Sequence, residues 1–207
     1  MRFVIGLDEV GRGSLAGPVV VAAVLMPASL RIPPSLRLRR AGRNRGLLKL
    51  RDSKKLTALG RERWFEFFKK PPNLKYTLAK VYPRNIEKIN ISRAANLAAL
   101  RAFERLTKTY NLKPETCHVY LDGGLYLGNG KNRISAKTVI RGDEKIQTIK
   151  IASIIAKVYR DKLMARLAEK YPRYGLEIHK GYGTRSHYAA IKKFGLSEIH
   201  RATFIHD

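Results

Sequence analysis

Acidic residues are scarce in this chain. Its 207 residues include 16 Asp and Glu against 42 Lys and Arg, a formal net charge of +26. A balance so one-sided argues against a cationic partner and for a polyanion, with nucleic acid as the natural choice; a generic basic surface is the plainer alternative. The basic residues are spread along the chain rather than gathered on one amphipathic helix, which argues against a membrane surface. Cysteine is nearly missing. Cys117 is the one example, so an internal disulfide and a cysteine-rich zinc site are both excluded. It stands beside His118 in an apolar run and reads as a buried, inert thiol. Long hydrophobic runs are missing too. The longest, Val19 to Met26, is too short to cross a bilayer. No early stretch has the basic, apolar and cleavage-site order of a signal peptide, so a soluble cytoplasmic protein is expected. What is present suffices for a packed core: 44% of residues are hydrophobic. The length fits one domain with room for a small appendage.

Periodicity divides the chain into alternating strands and helices. Residues 2–8 and 18–26, rich in Val and Ile, read as the first two strands. Pro27 to Arg51 carries prolines at 27, 33 and 34 and many arginines, with no helical or strand period. It reads as a long basic loop that either wraps a phosphate backbone or merely solubilises. Thr57 suits the N-cap of a short helix whose apolar face holds Trp64, Phe65, Phe67 and Phe68. Tyr76 to Tyr82 reads as a third strand. Ser92 to Tyr110 is a helix with Ala95, Ala99, Phe103, Leu106 and Tyr110 on one face and Arg101, Arg105 and Lys108 on another. Residues 118–122 and 136–140 give the fourth and fifth strands. Ile146 to Tyr171 is a long helix with Ile151, Ile154, Ile155 and Val158 as its core side, and Thr184 caps a last helix running to Phe194.

Carboxylates fall at the ends of these strands. Asp8 and Glu9 end the first, Asp122 ends the fourth before Gly123-Gly124, and Asp143 follows the fifth. A buried unpaired carboxylate is costly, and a hard divalent cation would neutralise it with oxygen ligands. In open sheets, sites form where strand ends converge. Acids gathered there suit two divalent ions clamping a scissile phosphate, while the arginines and lysines hold the polyanion. Solvent-facing acids on a tight hairpin are the bland alternative for Asp8 and Glu9. Gly11-Arg12-Gly13 lets the backbone approach a ligand closely, with Arg12 able to donate to phosphate or sugar. Lys54 and Lys55, just before a helix start, either meet a phosphate or are solvated. Ser153, Lys157 and Asp161 recur every fourth residue, as phosphate contacts or as an ordinary helix ion pair. His179 to Thr184 is a basic loop around Tyr182.

Six segments together carry a resemblance: Asp8-Glu9-Val10-Gly11-Arg12-Gly13, Asp52-Ser53-Lys54-Lys55-Leu56, Leu121-Asp122-Gly123, Gly142-Asp143, residues 152–161 and residues 179–184. In this order they resemble ribonuclease HII, the type 2 ribonuclease H family. The resemblance implies a ribonuclease H-like α/β fold: a five-stranded mixed sheet flanked by helices, with residues 1–171 as the catalytic domain and 172–207 as a small C-terminal helical part of it. It implies an endonuclease that cleaves the RNA strand of RNA/DNA hybrids and incises 5′ of single ribonucleotides in duplex DNA, leaving 5′-phosphate and 3′-hydroxyl ends. That is the first step of ribonucleotide excision repair. Mg2+ or Mn2+ is the implied cofactor, bound by Asp8, Glu9, Asp122 and Asp143. Gly11, Arg12 and Gly13 fall on the loop that senses the 2′-hydroxyl, and Tyr182 on the tyrosine that packs against the following deoxyribose. Lys54, Lys55, Ser153 and Lys157 are implied phosphate contacts. A monomer is the default. Pro27 to Arg51 is longer and more basic than the usual connection, Lys150-Ile151 replaces smaller residues, and the chain stops soon after Phe204, where some members carry a longer tail.

Overall fold

The computed structural model describes residues 2–37, 47–71, 73–128 and 135–205. Its centre is a five-stranded mixed sheet. The strands are β1 (Phe3–Val10), β2 (Val19–Pro27), β5 (Lys75–Val81), β6 (Cys117–Asp122) and β7 (Ala136–Val139), in the order β5-β2-β1-β6-β7. β1 runs antiparallel to β2 and parallel to β6. Two further three-residue strands, β3 (Ser35–Arg37) and β4 (Leu47–Lys49), pair as a separate ribbon. The basic stretch read as a loop therefore contains strands at its edges, and its middle, residues 38–46, lies outside the described residues. Strands of three residues carry no alternation that a sequence could reveal.

β2 is buried along its whole length, because helices cover both of its faces. On one face Val19, Val21, Ala23 and Leu25 join a core with α3 (Ile91–Thr109), which contributes Ala95, Ala99, Phe103 and Leu106. On the other, Ala22, Val24 and Met26 meet Ile151, Ile154, Ile155 and Val158 of α5 (Gln147–Lys170) and Trp64 and Phe68 of α1 (Ala58–Phe68). Tyr110, expected on the α3 core face, lies just past the helix end and is 36% exposed. The Thr57 cap is present, its hydroxyl accepting from the Gly60 N–H at 3.1 Å. A short helix, α2 (Pro83–Ile89), precedes α3. Pro83 at its first turn, with φ already suited to a helix, sets its start.

Gly6 fixes how closely α5 approaches the sheet. A Cβ there would come within 2.5 Å of the Ile149 amide nitrogen. The helix start is thus pressed onto β1, two residues before Asp8. After α5 the chain forms α6 (Leu176–His179) and α7 (Arg185–Phe194), the latter capped by the Thr184 hydroxyl. This part packs on Met164 and Ala168 of α5 and on Ala16 through Tyr174, Leu176 and Ile199. Among the described residues no helix is long and apolar enough to cross a membrane.

Candidate active site

The parallel register of β1 and β6 ends at Leu7 opposite Leu121. The next residues along, Asp8 and Asp122, therefore stand side by side where that pairing stops; β1 itself runs on to Val10, so Asp8 and Glu9, expected to end the strand, lie within it, still paired with Ala22 and Val21 of β2. β6 stays in register with β7 as far as Asp122 opposite Val139. The chain then turns through Arg141, at a φ of 54°, and the Gly142 N–H donates to Asp122 Oδ1 at 2.7 Å. This turn opens the one-turn helix α4 (Gly142–Lys145) and delivers Asp143, buried, to the same cleft. Asp143 thus sits in a helix rather than directly at a strand end.

Asp8, Glu9 and Asp122 each offer a carboxylate oxygen within 4.8 Å of the others. Burial and so much negative charge in so little space both act on these acids. Burial first, then the neighbouring Glu9 and Asp122, holds Asp8 well above the usual carboxylate range. Burial also raises Glu9, against the pull of Arg12. Asp143 is raised by burial, by Asp122 and by Asp52. One oxygen of Glu9, Oε2, is buried with no hydrogen-bond partner among the described residues. An orphaned oxygen beside crowded carboxylates is an expensive arrangement for a protein alone. It fits a hard divalent cation, which takes oxygen ligands and reverses the repulsion between them.

Lys54, Ser153, Lys157 and Tyr182 line the cleft with the acids. The Ser153 hydroxyl is buried, pairs with the Ser53 hydroxyl at 2.7 Å and draws the Asp8 carboxyl down slightly. Lys157 donates to Asp161 at 2.8 Å, the ordinary helix pair, while its ammonium lies 5.6 Å from the Tyr182 ring centre. Lys55 is engaged at the surface by Glu144, at 2.8 Å. The Arg12 guanidinium is turned back into the protein. It donates to the Gly124 carbonyl and the Ser92 hydroxyl, at 3.1 and 2.9 Å, and lies 3.6 Å from Glu9. Gly11 sits at a φ of 85°, and a Cβ there would strike the Arg160 side chain.

Two fully buried arginines hold this loop. Arg160 donates to the Pro18, Ala16 and Lys180 carbonyls and to the Ser14 hydroxyl, at 2.8 to 3.0 Å. Arg201 donates to Gly11, Arg12 and Gly17 carbonyls at 2.7 to 3.1 Å. Among the described residues neither has a carboxylate partner; carbonyl dipoles compensate their charge. Burial presses Arg201 down to about 9, which leaves it charged at neutral pH. Sequence reasoning gives neither a role, although Arg160 stands within the motif of residues 152–161. Arg160 had left a trace: it interrupts the apolar series Ala152, Ala156, Met164 and Ala168 at four-residue spacing, where a charge must have a buried use. Arg201 had no such mark. Asp52, whose carboxylate accepts the Lys54 N–H at 2.9 Å and lies against Asp143, was seen only as part of a motif.

Comparison with known proteins gives the same picture. The chain is 41% identical over 204 residues to the ribonuclease HII of Caldicellulosiruptor bescii, covering 99% of this chain and 87% of that one. It is 42% identical over 202 residues to the Prochlorococcus marinus ribonuclease HII, covering 97% and 94%. Among solved structures, it superposes with a TM-score of 0.71 on the RNase HII of the Archaeoglobus fulgidus PCNA:RNase HII complex, at 23% identity, covering 99% of this chain and 96% of that one. Bst-RNase HIII in complex with Mn2+ superposes with a TM-score of 0.69 at 19% identity, covering 98% and 67%. At those identities the two structures speak for the fold, a ribonuclease H-type α/β sheet. The family model for ribonuclease HII matches residues 5–206, from within β1 to beyond Arg201. From its strand-end acids to the arginine that ties down the glycine loop, the chain belongs to the ribonuclease HII family, hydrolases that cleave the RNA of RNA/DNA hybrids.

Proposed function

We propose that this chain is a metal-dependent endoribonuclease that cuts RNA/DNA hybrids and also incises on the 5′ side of a single ribonucleotide embedded in duplex DNA, leaving 5′-phosphate and 3′-hydroxyl ends. The observation that carries this is the three-carboxylate cluster within 4.8 Å, with a buried orphan oxygen, in a chain of net charge +26. Asp8, Glu9, Asp122 and Asp143 would hold Mg2+ or Mn2+. Such ions, when bound, supply Lewis acidity and a more acidic water. The protein's own part is positioning. Lys54, Lys55, Ser153 and Lys157 contact phosphates along the cut strand. The backbone of Gly11 to Gly13, pinned from behind by Arg160 and Arg201, stands where a 2′-hydroxyl is read; that hydroxyl is what marks a ribonucleotide in DNA. Tyr182 packs its ring against the next deoxyribose. The chain acts as a monomer.

The test is a DNA duplex carrying one ribonucleotide, with Mg2+, Mn2+ or chelator. Cutting 5′ of the ribonucleotide in either metal and not in chelator is expected. Equal cutting of an all-DNA duplex would refute ribose recognition, and cutting in chelator would refute the metal assignment. Tyr182→Ala is expected to reduce cutting at the single ribonucleotide more than it weakens duplex binding; equal losses would remove the packing role.

A further inference from the structure

Three buried histidines, His179, His187 and His200, lie together in the C-terminal part, behind Tyr182. Their proton positions follow from their partners. The Tyr182 carbonyl can only accept, so His187 Nδ1, 3.0 Å away, carries a hydrogen. The Ser197 backbone N–H can only donate, at 3.0 Å to His200 Nδ1, so the hydrogen of a neutral His200 is on Nε2. That nitrogen faces His187 Nε2 at 3.2 Å, which is the free lone pair of that ring. One continuous chain results: Ser197 N–H to His200, His200 to His187, His187 to the Tyr182 carbonyl. The neighbouring His179 is fixed independently. Its Nε2 donates to the Tyr174 carbonyl at 2.7 Å, its Nδ1 accepts the Gly181 N–H at 3.2 Å, and its ring stacks on His187 with centres 4.3 Å apart. These bonds use both ring nitrogens of all three histidines, so a metal site here is excluded.

We infer that His187, oriented by His200, is a positioning residue that sets the Tyr182 ring for its task of selecting a deoxyribose next to the cut. This hydrogen-bond relay ends on Tyr182, which among the described residues is the one member of the C-terminal part that lines the acidic cleft. Two cations of α5 lie by the Tyr182 ring, Lys157 at 5.6 Å and Arg160 at 5.4 Å from its centre. Its carbonyl is gripped from behind by His187 and by the Thr184 N–H, at 3.0 and 2.9 Å. Just before it, Gly181 sits at a φ of 81° against the Ala16 carbonyl, which a Cβ would approach to 2.5 Å. Backbone and ring are thus both constrained, and the histidine chain is the constraint that α7 and the segment carrying His200 impose. This inference rests on the proposed sugar contact of Tyr182.

Two substitutions of His187 separate positioning from packing. His187→Asn places an amide N–H where Nδ1 stood and keeps the bond to Tyr182. His187→Gln reaches instead to the Nε2 position and keeps the bond to His200. Both remove the ring and lower the melting temperature. The readout is the ratio of kcat/KM on a single-ribonucleotide duplex to kcat/KM on an RNA/DNA hybrid, which a general loss of folded protein does not move. His187→Gln is expected to lower that ratio roughly fivefold, the worth of one buried hydrogen bond, and His187→Asn by less than about twofold. Equal ratios for the two variants, with Tyr182→Ala still lowering the ratio, would overturn the positioning role alone. An unchanged ratio in Tyr182→Ala would instead remove the sugar contact beneath it.

Discussion

Replacing Asp8 by asparagine is expected to stabilise the metal-free protein. Asp8 is buried, and an oxygen of each of two other carboxylates lies within 4.8 Å of its own. Each such neighbour repels it by about 1 kcal/mol in water-like surroundings and about 3 kcal/mol at the effective dielectric of a protein site. Uptake of a proton caps the penalty, as the raised Asp8 and Glu9 carboxyls indicate. Asparagine keeps the oxygen that accepts the Glu9 N–H at 2.8 Å and turns a repelled oxygen into a donor. A gain of about 2 kcal/mol, or about 4–8 °C in Tm for a chain of this size, is expected in chelator at pH 7.5. Saturating Mn2+ should reverse the ranking: at a hundred times Kd a bound ion contributes about 2.7 kcal/mol to the native protein, and the variant should gain less than about 0.7 kcal/mol, a quarter of that. Cleavage should fall to near zero while duplex affinity in chelator is retained. Thermal melts of both proteins in chelator and in Mn2+ test this without any turnover. A variant less stable than the native protein in chelator would show that the acids are not in mutual repulsion, and the reading of the cluster would fail.

Arg201→Met should cost about 3 kcal/mol in urea unfolding, because the Arg12 and Gly17 carbonyls lose their guanidinium donors at about 1–3 kcal/mol each, partly offset by no longer burying a charge. A cost under about 1 kcal/mol would show the clamp to be redundant. The histidine chain gives a pH dependence of defined sign. Burial holds His187 down to about 4 and also lowers His200. The folded state therefore refuses protons that the unfolded state accepts below about 6.5. Stability contributed by His187 is complete above that pH and declines by about 3 kcal/mol as the pH falls from 6.5 to about 4, after which it is constant. Denaturation midpoints across that window, compared with those of His187→Asn, report it; parallel profiles would refute the assignment. Finally, duplex affinity measured in chelator should fall steeply with salt, since phosphate binding by Lys and Arg releases counterions, and a flat response would mean that the +26 charge grips no backbone.

The elements that could be read from the sequence are those whose pattern repeats. The apolar run of β2 and the alternating ladders of α3 and α5 fell within a residue or two of their observed bounds. The acids were legible for a different reason: charges close to the end of a buried strand contradict their surroundings, although β1 runs past Asp8 and Glu9 to Val10 and Asp143 lies in α4. The hidden parts depended on partners distant in the chain. Nothing around Arg201 foretells that it would donate to Gly11, 190 residues earlier. Nothing near Arg12 foretells that Ser92 would hold its guanidinium. The short strands β3 and β4, and the turn that carries Asp143 into the cleft, are likewise set by tertiary contacts rather than by local preference.

That span has a consequence for how the enzyme comes into being. The glycine loop is made 190 residues ahead of the side chain that ties it down. Contacts this remote close slowly, since a loop of 190 residues must close before they form. Until Arg201 is made and docked, the backbone of the glycine loop lacks its clamp, so the loop beside the acids is set only when both ends of that contact are in place.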